Sequence, residues 1–110
     1  MNGSELLHEA GMLVGSGWCQ GVEAETIDGS SVDVRDGDAA RWSLLGALQA
    51  AAYCDESTRI EDVGVAVAAI AELIADPSLA HWNDAPGRTQ GDVAELLAVA
   101  ELLAVPALFS

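Results

Sequence analysis

Apolar positions recur at helical spacing in four stretches of this chain and alternate in one. From Ser4 to Val14 the residues Leu6, Leu7, Ala10, Leu13 and Val14 share one helical face, with Ser4 placed to cap the helix and Gly15-Ser16-Gly17 to end it. Gly11 falls inside this helix, where glycine costs about 1 kcal/mol against alanine unless another backbone packs there. Between residues 18 and 34 the period changes. Val22, Ala24 and Thr26 alternate with Glu23, Glu25 and Ile27, and Asp28-Gly29 is a tight-turn signal ahead of Val32-Asp33-Val34, which predicts a two-stranded hairpin at about 18–34. Such a hairpin is marginal alone and must lie on the helices.

A second helix is predicted from a cap at Asp36 or Asp38 to about Tyr53, with Leu44, Leu45, Leu48, Ala51 and Ala52 as its buried stripe and Gly46-Ala47 permitting close approach. A third, about Ile60 to Ala75, is apolar almost all round and stops at Asp76-Pro77. It reads as the central, most buried helix. The fourth has the clearest start: Thr89 followed by Asp92 approximates a capping box, and Val93, Leu96, Leu97, Ala100 and Leu103 mark its buried face. Leu102 points away from that stripe. With Val105-Pro106-Ala107-Leu108-Phe109 behind it, it marks the C-terminal segment as either a homodimer seam or a tail folded onto its own core.

The expected fold is therefore mainly α (α+β): about four helices packed as a small orthogonal bundle, with one two-stranded β-hairpin between helices 1 and 2. At 110 residues, with no internal repeat, the chain fits a single domain over residues 1–110, with a core that requires no metal or disulfide staple. Its hydrophobic share of 51% is carried by Ala, Leu and Val, with only 5% aromatic residues, which suits helices packed closely through small side chains.

Charge narrows the chemistry. Eighteen acids face four arginines and no lysine, a formal net charge of -14, so phosphate backbones and anionic membranes repel the surface and neither direct nucleic-acid nor membrane binding is expected. The lack of lysine also removes the Schiff-base nucleophile and the phosphate-gripping residue of a P-loop. The opening residues have no basic stretch of the kind that begins a signal peptide. The apolar run from Val63 to Ala71 is cut by Glu72, so a cytoplasmic protein with reduced thiols is the expectation.

Candidate chemistry is sparse. Asp33-Val34-Arg35-Asp36-Gly37-Asp38 invites comparison with a calcium loop, but counting from Asp33 the glycine is fifth and position twelve is Leu44, so the ligand spacing fails. Cys54 closes a predicted helix ahead of Asp55-Glu56, and Cys19 has only acids near it in sequence. Neither has the cation that activates a thiolate. His8 and His81 belong to no zinc-ligand pattern, and no catalytic set, metal or cofactor is expected.

Two surfaces remain. One is an acidic partner face formed by Glu23, Glu25, Asp28, Asp33, Asp36 and Asp38, which would meet a protein partner with a basic surface. The other is the loop Trp82-Asn83-Asp84-Ala85-Pro86-Gly87-Arg88-Thr89. In it Trp82 can plug the core, Asn83 and Asp84 can hold an Asx-type turn, Pro86-Gly87 suits a type II turn and Thr89 caps. Arg88 is left to tie Asp84, to tie a helix C-terminus, or to present a fork to a carboxylate or phosphate. A pocket there would use His81, Asp84 and Arg88 as polar groups and Trp18, Trp42 or Trp82 as walls, the mark of a small enzyme or ligand-binding domain.

Three elements, Trp18-Cys19-x-Gly21, Trp42-x-Leu44-Leu45-Gly46-Ala47-Leu48 and Trp82-Asn83-Asp84-x-x-x-Arg88-Thr89, stand in this order over most of the chain. In them the chain resembles a family of small proteins of unknown function found mainly in actinobacteria and their phages. Ser43 stands where that family often has a Cys, so the resemblance carries over no metal or redox role. It implies a bacterial or phage origin and no particular activity.

Overall fold

A computed structural model describes residues 1–104. The elements in chain order are α1 (Gly3–Ser16), β1 (Ala24–Glu25), β2 (Arg41–Trp42), α2 (Leu44–Tyr53), α3 (Ile60–Leu73), α4 (Leu79–Asn83) and α5 (Gln90–Leu103). Over the described residues the protein is mainly helical, with five helices and one two-stranded antiparallel sheet. The segment after Ala104, on which the alternatives of a homodimer seam and a folded-back tail turn, lies outside the described residues.

The helix at the centre is α1, which packs against α2, α3 and α5 and buries Leu6, Leu7, Ala10 and Val14 completely or nearly so. Its cap is Asn2 rather than Ser4. The Asn2 side chain accepts from Glu5 N–H at 2.8 Å while the Glu5 carboxylate accepts from Asn2 N–H at 2.9 Å, satisfying two helix-end donors reciprocally. At the other end Gly17 N–H donates to the Leu13 carbonyl at 3.1 Å, closing the helix where the glycines predict.

The third predicted helix forms as α3 but is not the most buried. Only Ala66, Ala69 and Ile70 are fully inside, whereas Ile60 is 84% exposed and Val65 48%. A helix apolar on every side carries no periodic signal for which face turns inward. Here the small alanine face lies on the core, α3 contacts α1 and α5, and the larger side chains of Ile60 and Val65 are left outside.

The sheet also departs from the expected hairpin. The Asp28-Gly29 turn forms, with Gly29 at φ +91° and Thr26 N–H donating to the Ser30 carbonyl at 2.9 Å. The returning arm makes only a bridge at Ser31 and never becomes a strand. Residues 33–38 instead fold into successive Asx turns: Asp33 accepts from Arg35 N–H and Asp36 from Asp38 N–H, each at 2.8 Å. Carboxylates that bond their own backbone two residues on compete with ladder pairing. The register partner of β1 is β2, with Ala24 opposite Trp42 and Glu25 opposite Arg41.

Because Arg41 and Trp42 are extended, α2 starts later than either aspartate would set it. Its cap is Ser43, whose hydroxyl accepts from Gly46 N–H at 3.0 Å. Gly46 is required on steric grounds: a Cβ there would stand 1.9 Å from the Glu23 carbonyl oxygen, so the chain entering β1 crosses directly over the first turn of α2.

One helix lies where no helix is predicted. The short α4 is capped by Ser78, which accepts from His81 N–H at 3.1 Å, and it takes up Trp82 and Asn83 from the expected loop. The remainder behaves as predicted. Gly87 at φ +82° is the third residue of a turn closed by Arg88 N–H on the Ala85 carbonyl at 3.0 Å. Thr89 and Asp92 then exchange bonds of 3.1 and 3.0 Å as a capping box for α5. On α5, Val93, Leu96, Leu97 and Ala100 are buried and Leu102 is 75% exposed, but Leu103 is half exposed and not part of the buried stripe.

Candidate functional site

Asn83 is the fully buried side chain about which the chain's polar contacts are organised. Its Oδ1 accepts from the Trp18 indole N–H at 2.8 Å and from Leu44 N–H at 3.0 Å, and its Nδ2 donates to the Cys19 carbonyl at 3.1 Å and to the Asp84 carboxylate at 2.9 Å. Both acceptor lone pairs and both donors of the amide are thereby used. Leu44 is the first residue of α2, so Asn83 caps that helix from 39 residues away while Ser43 caps it locally.

The neighbours extend this seam. Gln20 donates to the Asn83 carbonyl at 2.9 Å and to the Ala85 carbonyl at 3.2 Å, and Asp84 accepts from Gly21 N–H at 2.9 Å. Residues 18–21 are thus stitched along residues 83–85. Trp42 joins from the other side, donating its N–H to the Gly17 carbonyl at 3.1 Å and accepting from Cys19 N–H at 3.4 Å. Trp18, Cys19, Gly21, Trp42, Leu44, Asn83 and Asp84, drawn from all three sequence elements, meet at one place. A short-range Asx turn at Asn83 is not what forms. Sequence reasoning missed the long-range role because an asparagine two residues before Ala85-Pro86 carries a strong local turn signal.

Trp82 lies at the margin of the core, half-buried, rather than as its plug. Arg88 covers it: the guanidinium carbon stands 3.8 Å from the ring centroid and Nε donates to the Trp82 carbonyl at 2.9 Å, close to the C-terminus of α4. Of the structural roles open to Arg88, tying a helix C-terminus is the one observed, and it makes no ion pair with Asp84 among the described residues. The two side chains line different hollows: Asp84 one of about 210 Å³ beside Gly21 and Ser43, Arg88 one of about 290 Å³ beside Leu73 and Glu95.

Within the acidic stretch, Glu25 pairs with Arg41 at 2.7 Å and Asp33 with Arg35 at 3.1 Å. Glu23, Asp28, Asp36 and Asp38 are exposed and have no cationic partner among the described residues. Asp28 is held below the usual carboxylate range by hydrogen bonds from Thr26 and Ser30, and Asp33 by those from Arg35, so both stay ionised well into acid.

Among the described residues the remaining titratable groups stand alone or in local pairs. Cys19 is buried, and desolvation, helped by Glu25, pushes its thiol up to about 11. Cys54 is exposed at the end of α2. His8 on α1 reaches Glu101 on α5 at 3.3 Å, and His81 bonds Asp76, which raises the imidazole and lowers the carboxyl. Among the described residues no group of His, Cys, Asp and Glu gathers as a metal site, and no helix is long and apolar enough to cross a membrane.

The fold and this seam define a small helical domain with a two-stranded sheet, whose best-organised polar centre is spent on joining its own segments. The chain belongs to a family of unknown function (DUF6197), whose model matches residues 3–102. No curated protein matches it. No solved structure does either.

Proposed function

We propose that this is a non-catalytic, cytoplasmic protein-binding domain whose acidic surface, above all residues 23–38, meets a partner with a basic surface. In its specific form the proposal is a phage accessory or anti-defence protein that imitates nucleic-acid charge in a bacterial host. The observation that carries it is the contrast between two regions. The polar groups around Asn83 are consumed internally, whereas Glu23, Asp28, Asp36 and Asp38 are exposed and unpaired with any cation among the described residues, Glu23 just before β1 and the three aspartates in the turn segments between β1 and β2. A surface with net charge -14 attracts basic partners over a Debye length, and fixed turns reduce the ordering cost of contact.

Quantitative affinity purification from the host, comparing the native chain with a variant carrying Glu23→Gln, Asp28→Asn, Asp36→Asn and Asp38→Asn, tests this. The amides keep the turn acceptors and remove the charge. A basic partner retained by the native chain, lost by the variant and displaced by added DNA supports the proposal. Equal retention by both overturns it.

The alternative, a small enzyme or ligand-binding domain with its pocket near residues 82–89, has less to rest on. Asp84 and Arg88 do not line one hollow, and Asn83 has no polar valence left to offer.

A further inference from the structure

A cavity of about 460 Å³ lies on another part of the molecule, between α1, the 34–35 turn, β2 and the end of α2. Its volume falls in the range of small-ligand sites. Leu13, Val34 and Trp42 supply apolar and aromatic wall, and Tyr53, 60% exposed, stands at its edge. The polar groups lining it are Glu9, Arg35 and Cys54 besides the tyrosine hydroxyl.

The charges there are unequal in kind. Arg35 is matched by Asp33 at 3.1 Å, and its guanidinium carbon stands 4.6 Å from the Tyr53 ring centroid. Glu9 is half-buried on α1 and makes no ion pair among the described residues. Arg35 turns to Asp33, which lies outside the lining, and Glu9 is the one carboxylate in the lining, beside two aromatic residues. A carboxylate at an aromatic and apolar wall favours a cation that brings its own apolar surface, because the ring quadrupoles and the carboxylate both attract it and little hydration is lost from a substituted ammonium. The Arg35 guanidinium already stands at the Tyr53 ring, so Glu9 and the Trp42 wall are the groups open to an added cation. An anion would face Glu9 and the field of the whole chain.

We propose that this cavity is a binding site for an organic ammonium group with an apolar body, held by Glu9 and Trp42, with Tyr53 at its edge. The occupant is either a free small cation or the basic side chain of another molecule, and the chemistry of recognition is the same. The site does not depend on residues 23–38 serving as an interface.

Calorimetric titration with choline, benzyltrimethylammonium and N-acetyl-lysine amide tests it, with 3,3-dimethylbutanol as the neutral counterpart of choline. Saturable binding, at least about tenfold tighter for choline than for the alcohol, is expected, with about a tenfold loss in Glu9→Gln and a smaller loss in Tyr53→Ala. Glu72→Gln, on exposed α3 surface, is expected to bind as the native chain does. Tighter binding of the lysine amide than of choline supports the site with a side chain as occupant, and the reverse supports it with a free cation. Bound benzyltrimethylammonium should also slow the reaction of Cys54 with a thiol reagent, a readout independent of heat. Equal binding of charged and neutral probes, no effect of Glu9→Gln in a variant that melts as the native chain does, or no saturation below about 10 mM overturns the proposal.

Discussion

Asn83 accepts the Trp18 indole hydrogen at 2.8 Å across 65 residues of sequence, and the same oxygen caps the first turn of α2 through Leu44. Removing the amide in Asn83→Ala would strand the Trp18 N–H, the Leu44 N–H and the Cys19 carbonyl in or near the core. Each uncompensated buried group costs about 1–3 kcal/mol, so a loss of about 3–5 kcal/mol in urea unfolding is expected. Asn83→Asp should also be destabilising, because it loses the bond donated to Cys19 and places a charge beside Asp84. A change of under about 1 kcal/mol in Asn83→Ala would show that water replaces the amide and that the seam is not structural.

Two glycines in helices should respond oppositely to alanine. At Gly46 the added methyl would meet the Glu23 carbonyl oxygen at 1.9 Å, backbone that cannot swing aside, and a loss of about 3 kcal/mol is expected. At Gly64, in α3, nothing lies within 4 Å of the added atom. There alanine should stabilise by up to about 1 kcal/mol through helix propensity, read as a higher melting temperature.

The two thiols should separate by reactivity and by pH. At pH 8 a thiol reagent should modify Cys54 quickly and Cys19 only after denaturation. Burial raises the folded pKa of Cys19 from 9.0 to about 11, so its thiol favours the native state below pH 9. That contribution is lost as pH rises from 9 to about 11, where the unfolded chain ionises first. Cys19→Ala should flatten the decline in stability over that window. An unchanged slope would assign the decline to other groups.

His81 is raised chiefly by its hydrogen bond to Asp76 and Asp76 is lowered chiefly by the same bond, with both side chains near the start of α4. The pair therefore favours the native state only where Asp76 is ionised and His81 protonated, and the gain disappears as pH rises through the raised imidazole pKa or falls through the lowered carboxyl pKa. Asp76→Asn should move the imidazole titration, followed by NMR, to lower pH. No movement would mean that the two groups do not pair in solution.

Local chemistry was legible at several places where a residue's partner lies within a few positions. The Thr89 and Asp92 box, the Pro86-Gly87 turn, the Asp28-Gly29 turn and the end of α1 at Gly17 all form where side-chain type predicts. The failures share a cause. Asp36 is a competent helix cap, yet its carboxylate closes a turn of its own by accepting from Asp38 N–H, since β1 takes Arg41 and Trp42 as its partner and leaves Ser43 to cap α2. The inward face of α3 could not be chosen from a stretch with apolar residues on every side.

What the order of residues specified is the helical class, the acidic charge, the capping box of α5 and the glycine turns, because these depend on short-range bonding and on composition. Tertiary packing alone decided which helix is central, which strand pairs with β1 and what Asn83 does. An amide has the same local preferences wherever it stands; only the convergence of Trp18, Cys19 and Leu44 on one buried point supplies all four of its hydrogen bonds.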